Sequence, residues 1–392
     1  MPLRSDWAIG REGFTFDTVL SLLKYTVFDP KKTLPLYLAA LYTTKGREIA
    51  AQQPQALKWL KTFIALGVTN RVKTFLDEGV ANNWKNDKYN WNTEIVVVTG
   101  GSDGIGAIIV KMLAEKGIKV AILDIQEPKF PCTSCSHSIR PPNVQYFHCD
   151  LANPAAIKTT AASVQKHIGH PTILINNAGF ARGKSILDTT ETDLKLTFQI
   201  NAISHYQLAQ AYLPEMVKND HGMIVTVASL AAYVTAPNLV DYASSKAAAL
   251  VFHEGLQSEL VSIYNAPKVR AVLCCQGYTN TALFAGFDKG DGFMSYMLDP
   301  ATVAERIVKA VLAGRSEHII LPRGSALMTG VRGWPTWMQV GLRKDLKKLM
   351  AQWSGRQVAQ PSEADSAQPR KAEAESAPTG EESVFEEIEA AK

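Results

Sequence analysis

The stretch "TEIVVVTGGSDGIG" (93 to 106) constrains this chain more than any other. Its β-branched run does not alternate with polar residues, so it reads as a strand buried on both faces, as in a parallel sheet. Glycines follow at once, and then a helix-like run over 105 to 116 that Gly117 stops. Strand, glycine turn and helix in that order predict the opening of a βαβ unit. The alternation continues through "IKVAILDI", "VQYFHCDL", a helix near 154 to 167, "TILINNAG", a helix from 190 to 218, "GMIVTVAS", a helix from 240 to 263, "VRAVLCCQG", a helix near 301 to 313, and "EHIILP". The fold class predicted is α/β, a doubly wound Rossmann-type parallel sheet of about seven strands.

The flanks break this rhythm. Residues 1 to 91 read as an amphipathic helical extension ending in the polar connection "NNWKNDKYNW" (82 to 91), and 92 to 322 as the α/β domain. Two apolar stretches of the extension, "DTVLSLLKYTVF" (17 to 28) and "TLPLYLAALYTT" (33 to 44), fall well short of the ~20 residues a spanning helix needs. They suit either a shallow hairpin or interfacial helices on a membrane, or amphipathic helices packed on the domain. Residues 323 to 353 form an amphipathic basic segment, either interfacial or simply surface-bound. Its "GVRGWPTWMQVGLRKDLKKLMAQW" mixes Trp, Leu and Met with five basic residues. Residues 354 to 392 hold Pro, Ser, Ala and Glu with almost nothing apolar, and a disordered acidic tail is expected.

Charge narrows the function classes. The net +4 hides a tail with nine acidic and four basic side chains over 355 to 392, which leaves +9 on the rest. That excess is not gathered on a motif with interleaved aromatics, so nucleic acid is set aside. An odd count of five cysteines describes no disulfide framework and fits a reducing compartment. The N-terminus has no long apolar run before a small-residue cleavage site, so a cleaved secretory signal is not expected and contact with the cytosol is. The cluster "CTSCSH" (132 to 137), near His148 and Cys149, has one CxxC where zinc wants paired ligands, and no metal is expected. His205 and His253 read as structural or surface histidines.

The glycine turn has a physical task. Gly100 and Gly106 let backbone approach a pyrophosphate, Gly104 keeps the turn tight, and the helix N-terminus supplies N–H groups and partial positive charge. Asp124 ends the second strand, where a carboxylate accepts ribose hydroxyls and repels a 2′-phosphate. Asp103 adds a second negative charge. Both favour NAD over NADP. Downstream, "YASSK" (242 to 246) puts Tyr242 and Lys246 one helical turn apart on one face. A nearby cation favours the phenolate, which suits Tyr242 to general acid/base work. Ser229, thirteen residues earlier at a strand end, can hydrogen-bond a substrate oxygen.

In order, "TGGSDGIG", "CDL" (149 to 151), "NNAG" (176 to 179), "QINAISH", "VTVASLAAY" and "YASSK" resemble the short-chain dehydrogenase/reductase family over residues 92 to 322. The resemblance implies catalytic roles for Asn201, Ser229, Tyr242 and Lys246, with Asn201 holding a water that links Lys246 to solvent. It implies cofactor contacts from Thr99, Gly100, Ser102, Gly104, Ile105, Gly106, Asp124, Asp150, Leu151, Asn177, Tyr242 and Lys246. In "QGYTNT" (276 to 281), Gly277 and Thr281 match the family's Pro-Gly-x-x-x-Thr element, Thr281 facing the nicotinamide carboxamide, while Gln276 replaces the proline.

The segments around the site are similar to the branch of microsomal retinol dehydrogenases and 17β-hydroxysteroid dehydrogenases. That likeness implies a lipophilic alcohol or ketone, the cytoplasmic face of the endoplasmic reticulum or a lipid droplet, and a homodimer. The loops expected to line the pocket, "FARGKSI" (180 to 186), "LAAYVTAPNLV" (230 to 240) and "ALFAGFDKGDGFMSYML" (282 to 298), agree in being largely apolar. Two readings from other classes stand beside it: a non-catalytic NAD sensor, and a lipid-droplet or membrane-surface interaction protein.

Overall fold

Apolar residues at helical spacing in the first 91 residues become four helices: α1 (Phe16–Tyr25), α2 (Pro30–Tyr42), α3 (Thr44–Gln52) and α4 (Pro54–Ala81). The computed structural model describes residues 3–5, 10–128, 141–286, 296–350 and 353–355. Asp29 and Thr43 cap α2 and α3 by accepting the Lys31 and Gly46 N–H groups. Proline at the start of α2 and α4 costs nothing, because those N–H groups have no partner within the helix anyway.

The α/β body follows as β1 (Ile95–Thr99), α5 (Gly104–Ala114), β2 (Lys119–Asp124), β3 (Val144–His148), α6 (Pro154–His167) and β4 (Ile173–Asn176). It continues as α7 (Glu191–Phe198), α8 (Ser204–Lys218), β5 (Met223–Val227), α9 (Val240–Ser262), β6 (Arg270–Gln276), α10 (Pro300–Ala313) and β7 (Glu317–Leu321). All strand pairs are parallel, in the order β3-β2-β1-β4-β5-β6-β7. The predicted doubly wound sheet is therefore present. Its strand order reverses between β1 and β4, which opens a crevice at their carboxyl ends.

Period-two alternation assigns β1 to two cores. Val96 and Val98 pack with Ile109, Val110 and Leu113 of α5 and Ile307, Val308 and Val311 of α10. Val97 faces the other way, toward Ile157 and Val164 of α6, Leu208 and Tyr212 of α8, and Leu256 of α9. The sheet is thus a buried plate whose rigidity fixes everything mounted on its carboxyl edge.

The end of the N-terminal extension grips the opposite edge. Asn82 accepts from the Ser316 N–H at 2.8 Å, and the buried Arg270, first residue of β6, donates to the Asn82 and Lys85 carbonyls at 3.1 and 2.6 Å. His221 lies between Asp87 (2.7 Å) and Glu94 (3.3 Å) against the Tyr89 ring. At the other end, Asp17 of α1 accepts from Arg323 and Gly324 N–H at the start of a 3-10 run, Arg323–Gly333, which leads into α11 (Thr336–Asp345).

Among the described residues no helix is long and apolar enough to cross a membrane. The predicted helix from 190 to 218 is broken: Gln199–Ile203 form a π turn between α7 and α8. Of the tail expected to be disordered from 354, Ser354 and Gly355 are described, and they are engaged. Ser354 N–H donates to the Ala285 carbonyl at 2.8 Å, and Gly355 is buried. The remaining acidic tail lies outside the described residues, as do Cys132, Cys135 and His137.

Candidate active site

The glycine turn forms where predicted, between β1 and α5. Gly100 (φ +63°) and Gly104 (φ +56°) occupy the left-handed region that favours glycine. A Cβ on Gly106 would lie 2.1 Å from the Gly100 carbonyl oxygen and 2.6 Å from Asn177 Nδ2, so the helix could not seat against the turn. Asp103 is the helix N-cap: its Oδ1 accepts the Gly104 N–H at 2.7 Å. The sequence reading of Asp103 as a bare negative charge missed this cap.

Thr99 and Asn177 lock the turn across the crevice. The Thr99 hydroxyl accepts from the Asn177 and Ala178 N–H groups at 3.0 and 3.1 Å, and Asn177 Nδ2 donates to the Thr99 and Gly100 carbonyls at 3.0 and 3.2 Å. Asp124, half-buried at the end of β2, accepts the Ser102 and Gln126 N–H groups at 2.9 and 3.1 Å. Ile105 follows Gly104 in the first turn of α5. Asp150 folds its carboxylate onto the Ala152 N–H at 2.8 Å, and the buried Leu151 accepts from Gln199 Nε2 through its carbonyl.

These residues fit a dinucleotide. A Cβ on Gly104 or Gly179 would meet no atom closer than 3.6 or 3.7 Å, so both glycines leave bare backbone on the crevice. The α5 N-terminus offers positive dipole at one end, and Asp124 offers a hydroxyl acceptor beside it. Thr281 lies near the turn, its methyl 3.6 Å from the Cβ position of Gly104. Gly277 donates to the Leu321 carbonyl at 2.6 Å, so the element closes with Gln276 in place of proline.

Farther along the same edge, Ser229, just past the end of β5, approaches Tyr242 of α9 closely enough for its side chain to act on the phenol's ionisation. Its Oγ also lies 3.4 Å from the Gln276 carbonyl. Lys246 Nζ donates to the Val227 carbonyl at 2.8 Å and lies 5.8 Å from the centre of the Tyr242 ring. All four residues predicted to be catalytic are buried, Asn201 completely. A Cβ on Gly179 would lie 3.8 Å from Lys246 Nζ and 3.9 Å from Asn201 Oδ1, so Asn201 and Lys246 face the same point of the crevice.

The short chain dehydrogenase family model matches residues 94–291, half of the chain. The chain belongs to the short-chain dehydrogenase family. A relative named Dehydrogenase RED2, from Cochliobolus heterostrophus, is 41% identical over 213 residues, covering 54% of this chain and 78% of the relative. Human (Homo sapiens) estradiol 17-beta-dehydrogenase 11 is 33% identical over 237 residues, covering 60% of this chain and 77% of the relative. A solved short-chain dehydrogenase from Streptomyces avermitilis shares the fold at a TM-score of 0.50 and 21% identity, over 66% of this chain and 96% of its own. This dehydrogenase is accordingly an oxidoreductase of the NAD(P)-dependent alcohol dehydrogenase and ketone reductase class, similar to the retinol and steroid dehydrogenase branch.

Electrostatics in the dehydrogenase depart from one expectation. Burial pushes the Tyr242 phenol up to about 12, and the nearby Ser229 hydroxyl only partly offsets it. Burial pushes Lys246 down to about 8. In the protein alone, desolvation therefore sets the direction of the phenol's shift, against the expectation that Lys246 would favour the phenolate. Lys246 Nζ is committed to the Val227 carbonyl.

Asn201 has more work than the sequence suggested. It sits in the π turn, accepts the Phe180 N–H and donates to the Phe180 carbonyl, both at 2.8 Å, and donates to Ser245 Oγ at 2.9 Å. Ser245 in turn donates to the Tyr242 carbonyl at 2.7 Å. No local signal marks a π turn in "QINAI". His205 and His253 are buried and held neutral, with values pushed down by burial to about 3 and about 4. Leu283 and Phe284, from a loop expected to line the pocket, join an apolar cluster around Tyr242, and the part of it that was unforeseen is Met350 and Trp353.

Proposed function

We propose that this dehydrogenase interconverts a lipophilic alcohol and its carbonyl, with Tyr242 as the proton carrier and NAD preferred to NADP. The observation that carries the reading is the buried Tyr242 phenol, walled by apolar side chains at the carboxyl edge of the sheet with Lys246 Nζ 5.8 Å from its ring centre. When bound, the nicotinamide accepts or supplies the hydride. In oxidation Tyr242 takes the hydroxyl proton of the alcohol as the phenolate, and in reduction the phenol gives its proton to the carbonyl oxygen. Ser229 donates to that same oxygen and holds it beside the phenol. Lys246 supplies positive charge and hydroxyl-binding N–H groups at the floor of the crevice. Asn201 fixes Phe180 and, through Ser245, the turn of α9 that bears Tyr242.

The dinucleotide is held by Thr99, Gly100, Ser102, Gly104, Ile105 and Gly106 at the turn, Asp124 at its hydroxyls, Asp150 and Leu151 beside the base, and Asn177, Gly277 and Thr281 across the crevice. The half-buried carboxylate of Asp124 supports NAD, because a 2′-phosphate next to it would be repelled. A largely apolar surround, with Ala181, Ala236, Leu239 and Phe284 near Tyr242, supports a lipophilic substrate over a charged one.

Attachment to a membrane surface of the endoplasmic reticulum or a lipid droplet is favoured by exposed apolar residues beside basic ones. Tyr42 and Trp59 of the N-terminal extension are 77% and 60% exposed, and Trp337 of α11 is 76% exposed close to Arg343, Lys344, Lys347 and Lys348. Exposed Ile203, Tyr206 and Val251 on and beside α8 and α9 suit a second copy of the chain. The same surfaces support the alternative of a membrane-surface interaction protein, for which turnover would be incidental.

The deciding measurement is NADH formation with retinoid, steroid and long-chain alcohols, for wild type and Tyr242→Phe, with NAD and NADP side by side. Turnover by wild type with NAD, lost in the variant, is expected. Equal rates in the two proteins on every alcohol would leave only a nucleotide-binding or surface-binding role. Sedimentation with anionic vesicles, with and without residues 1 to 60, tests the membrane surface.

A further inference from the structure

We infer that Met350 and Trp353 close the substrate end of the site over Tyr242 and select long apolar alcohols; the inference rests on the oxidoreductase reading above. Three distant pieces of chain converge there: residues 180–183 after β4, residues 281–285 after β6, and the C-terminal residues 346–350 and 353–355. Met350 is buried in one cluster with Ala181, Ala236, Leu239 and Tyr242, and Leu283, Phe284 and Trp353 pack against it. The Phe284 ring stands edge-on to Tyr242 with centroids 5.4 Å apart.

Trp353 is tied down at both ends of its indole. Its Nε1 donates to the Leu283 carbonyl at 3.1 Å, and its six-membered ring covers Gly183, where a Cβ would lie only 2.5 Å away. The next residue, Ser354, donates to Ala285 at 2.8 Å. Leu283 in turn reaches the crevice floor: its Cδ2 lies 3.7 Å from the Cβ position of Gly179, beside Lys246 and Asn201. A single layer of apolar side chains therefore runs from Trp353 through Leu283 to the catalytic edge.

This layer is separate from the two cores that sandwich the sheet. Small side chains, Ala181, Ala231 and Ala236, stand beside Tyr242 within it. A polar substrate entering would lose hydration without finding partners, whereas a hydrocarbon chain replaces one apolar contact by another. The cover is continuous in sequence with α11, so the basic, tryptophan-bearing helix and the site are mechanically joined.

The test uses the full chain with Met350→Ala and Trp353→Ala, and Val340→Ala on the exposed face of α11 as control. A fluorescent long-chain polyene alcohol reports substrate binding, NADH fluorescence reports the cofactor site, and steady-state rates with long and short primary alcohols report selection. Expected is a loss of about tenfold or more in polyene affinity for both cover variants, with NADH affinity within about twofold of wild type. The long-to-short ratio of kcat/KM falls by a similar factor, and the control changes neither. Trp353→Leu replaces the alanine variant if that does not fold. Unchanged polyene affinity and ratio overturn the inference, as does a parallel fall in NADH affinity, which marks a merely structural role. Polyene binding lost in the variants, with no turnover by wild type, keeps the cover and sinks the oxidoreductase reading. Turnover with an unaltered ratio does the reverse.

Discussion

The amide of Asn201 and the peptide of Phe180 pair like two strands in miniature: Oδ1 accepts the N–H and Nδ2 donates to the carbonyl, each at 2.8 Å. The pair joins a π turn to the loop that follows β4, and Ser245 extends it to the backbone of Tyr242. One buried side chain thereby sets the position of a loop and of a phenol.

Asn201→Ala strands the Phe180 N–H and carbonyl in a dry site, at about 1–3 kcal/mol for each group left unsatisfied. A fall in kcat with a smaller change in KM is expected, along with a lower Tm. Asn201→Asp keeps only the acceptor and should fall between. Retention of wild-type kcat in Asn201→Ala would remove its positioning role.

Lys246 carries charge where burial disfavours it. With its value at about 8, against the usual 10.5, the unfolded chain holds more protons between those limits. Stability therefore rises with pH through that window, and below it the folded state bears the full cost of the buried charge. Lys246→Met should raise the stability of cofactor-free protein near neutral pH by about 1–3 kcal/mol while abolishing turnover. Denaturant titration near pH 7 and pH 10 checks this, with the gain expected to shrink at the higher pH.

Glycines of the turn differ in what they tolerate. Gly106→Ala forces a Cβ to 2.1 Å from the Gly100 oxygen and should cost about 1–3 kcal/mol together with NADH affinity. Gly104→Ala meets no atom within 3.5 Å but must hold φ +56°, a strain of about 1 kcal/mol. Thermal denaturation and NADH titration of the two variants should therefore separate a blocked seat from a strained one.

His221, clasped by Glu94 and Asp87, is raised above the usual histidine value, chiefly by the Glu94 hydrogen bond against the opposing effect of burial. Glu94 is lowered: burial opposes the shift, but its bonds to His221 and Thr172 prevail. The histidine's contribution is complete below its unfolded value of 6.5 and fades as pH rises through its folded value; the glutamate's is complete above 4.5 and fades in acid. The Tm gap between wild type and His221→Ala should be widest near about pH 5.5 and narrow toward about pH 9. A gap independent of pH would show that only packing on Tyr89 is lost.

Much of this chain was legible before folding. A run such as "IVVVTGG" can only be a doubly buried strand leading to a glycine turn, because backbone sterics and burial act within a few residues. The same holds for the one-turn spacing of Tyr242 and Lys246. The residues proposed for catalysis could therefore be named, and the doubly wound parallel class of the sheet, though not its strand order, followed from the repeated strand-helix alternation. What sequence could not decide depends on which distant surfaces meet. The π turn at Asn201 exists because Phe180 and Ser245 present partners to its amide. The direction in which Tyr242 and Lys246 shift depends on burial, and burial is a property of the packed whole. The proposed cover of Met350 and Trp353 joins distant segments: 70 residues separate Leu283 from Trp353, and the span back to Gly183 is longer still. Local pattern determined the sheet and its motifs; tertiary packing decided the charge states and the closing wall, since desolvation and long-range apolar contact arise only once the chain has condensed.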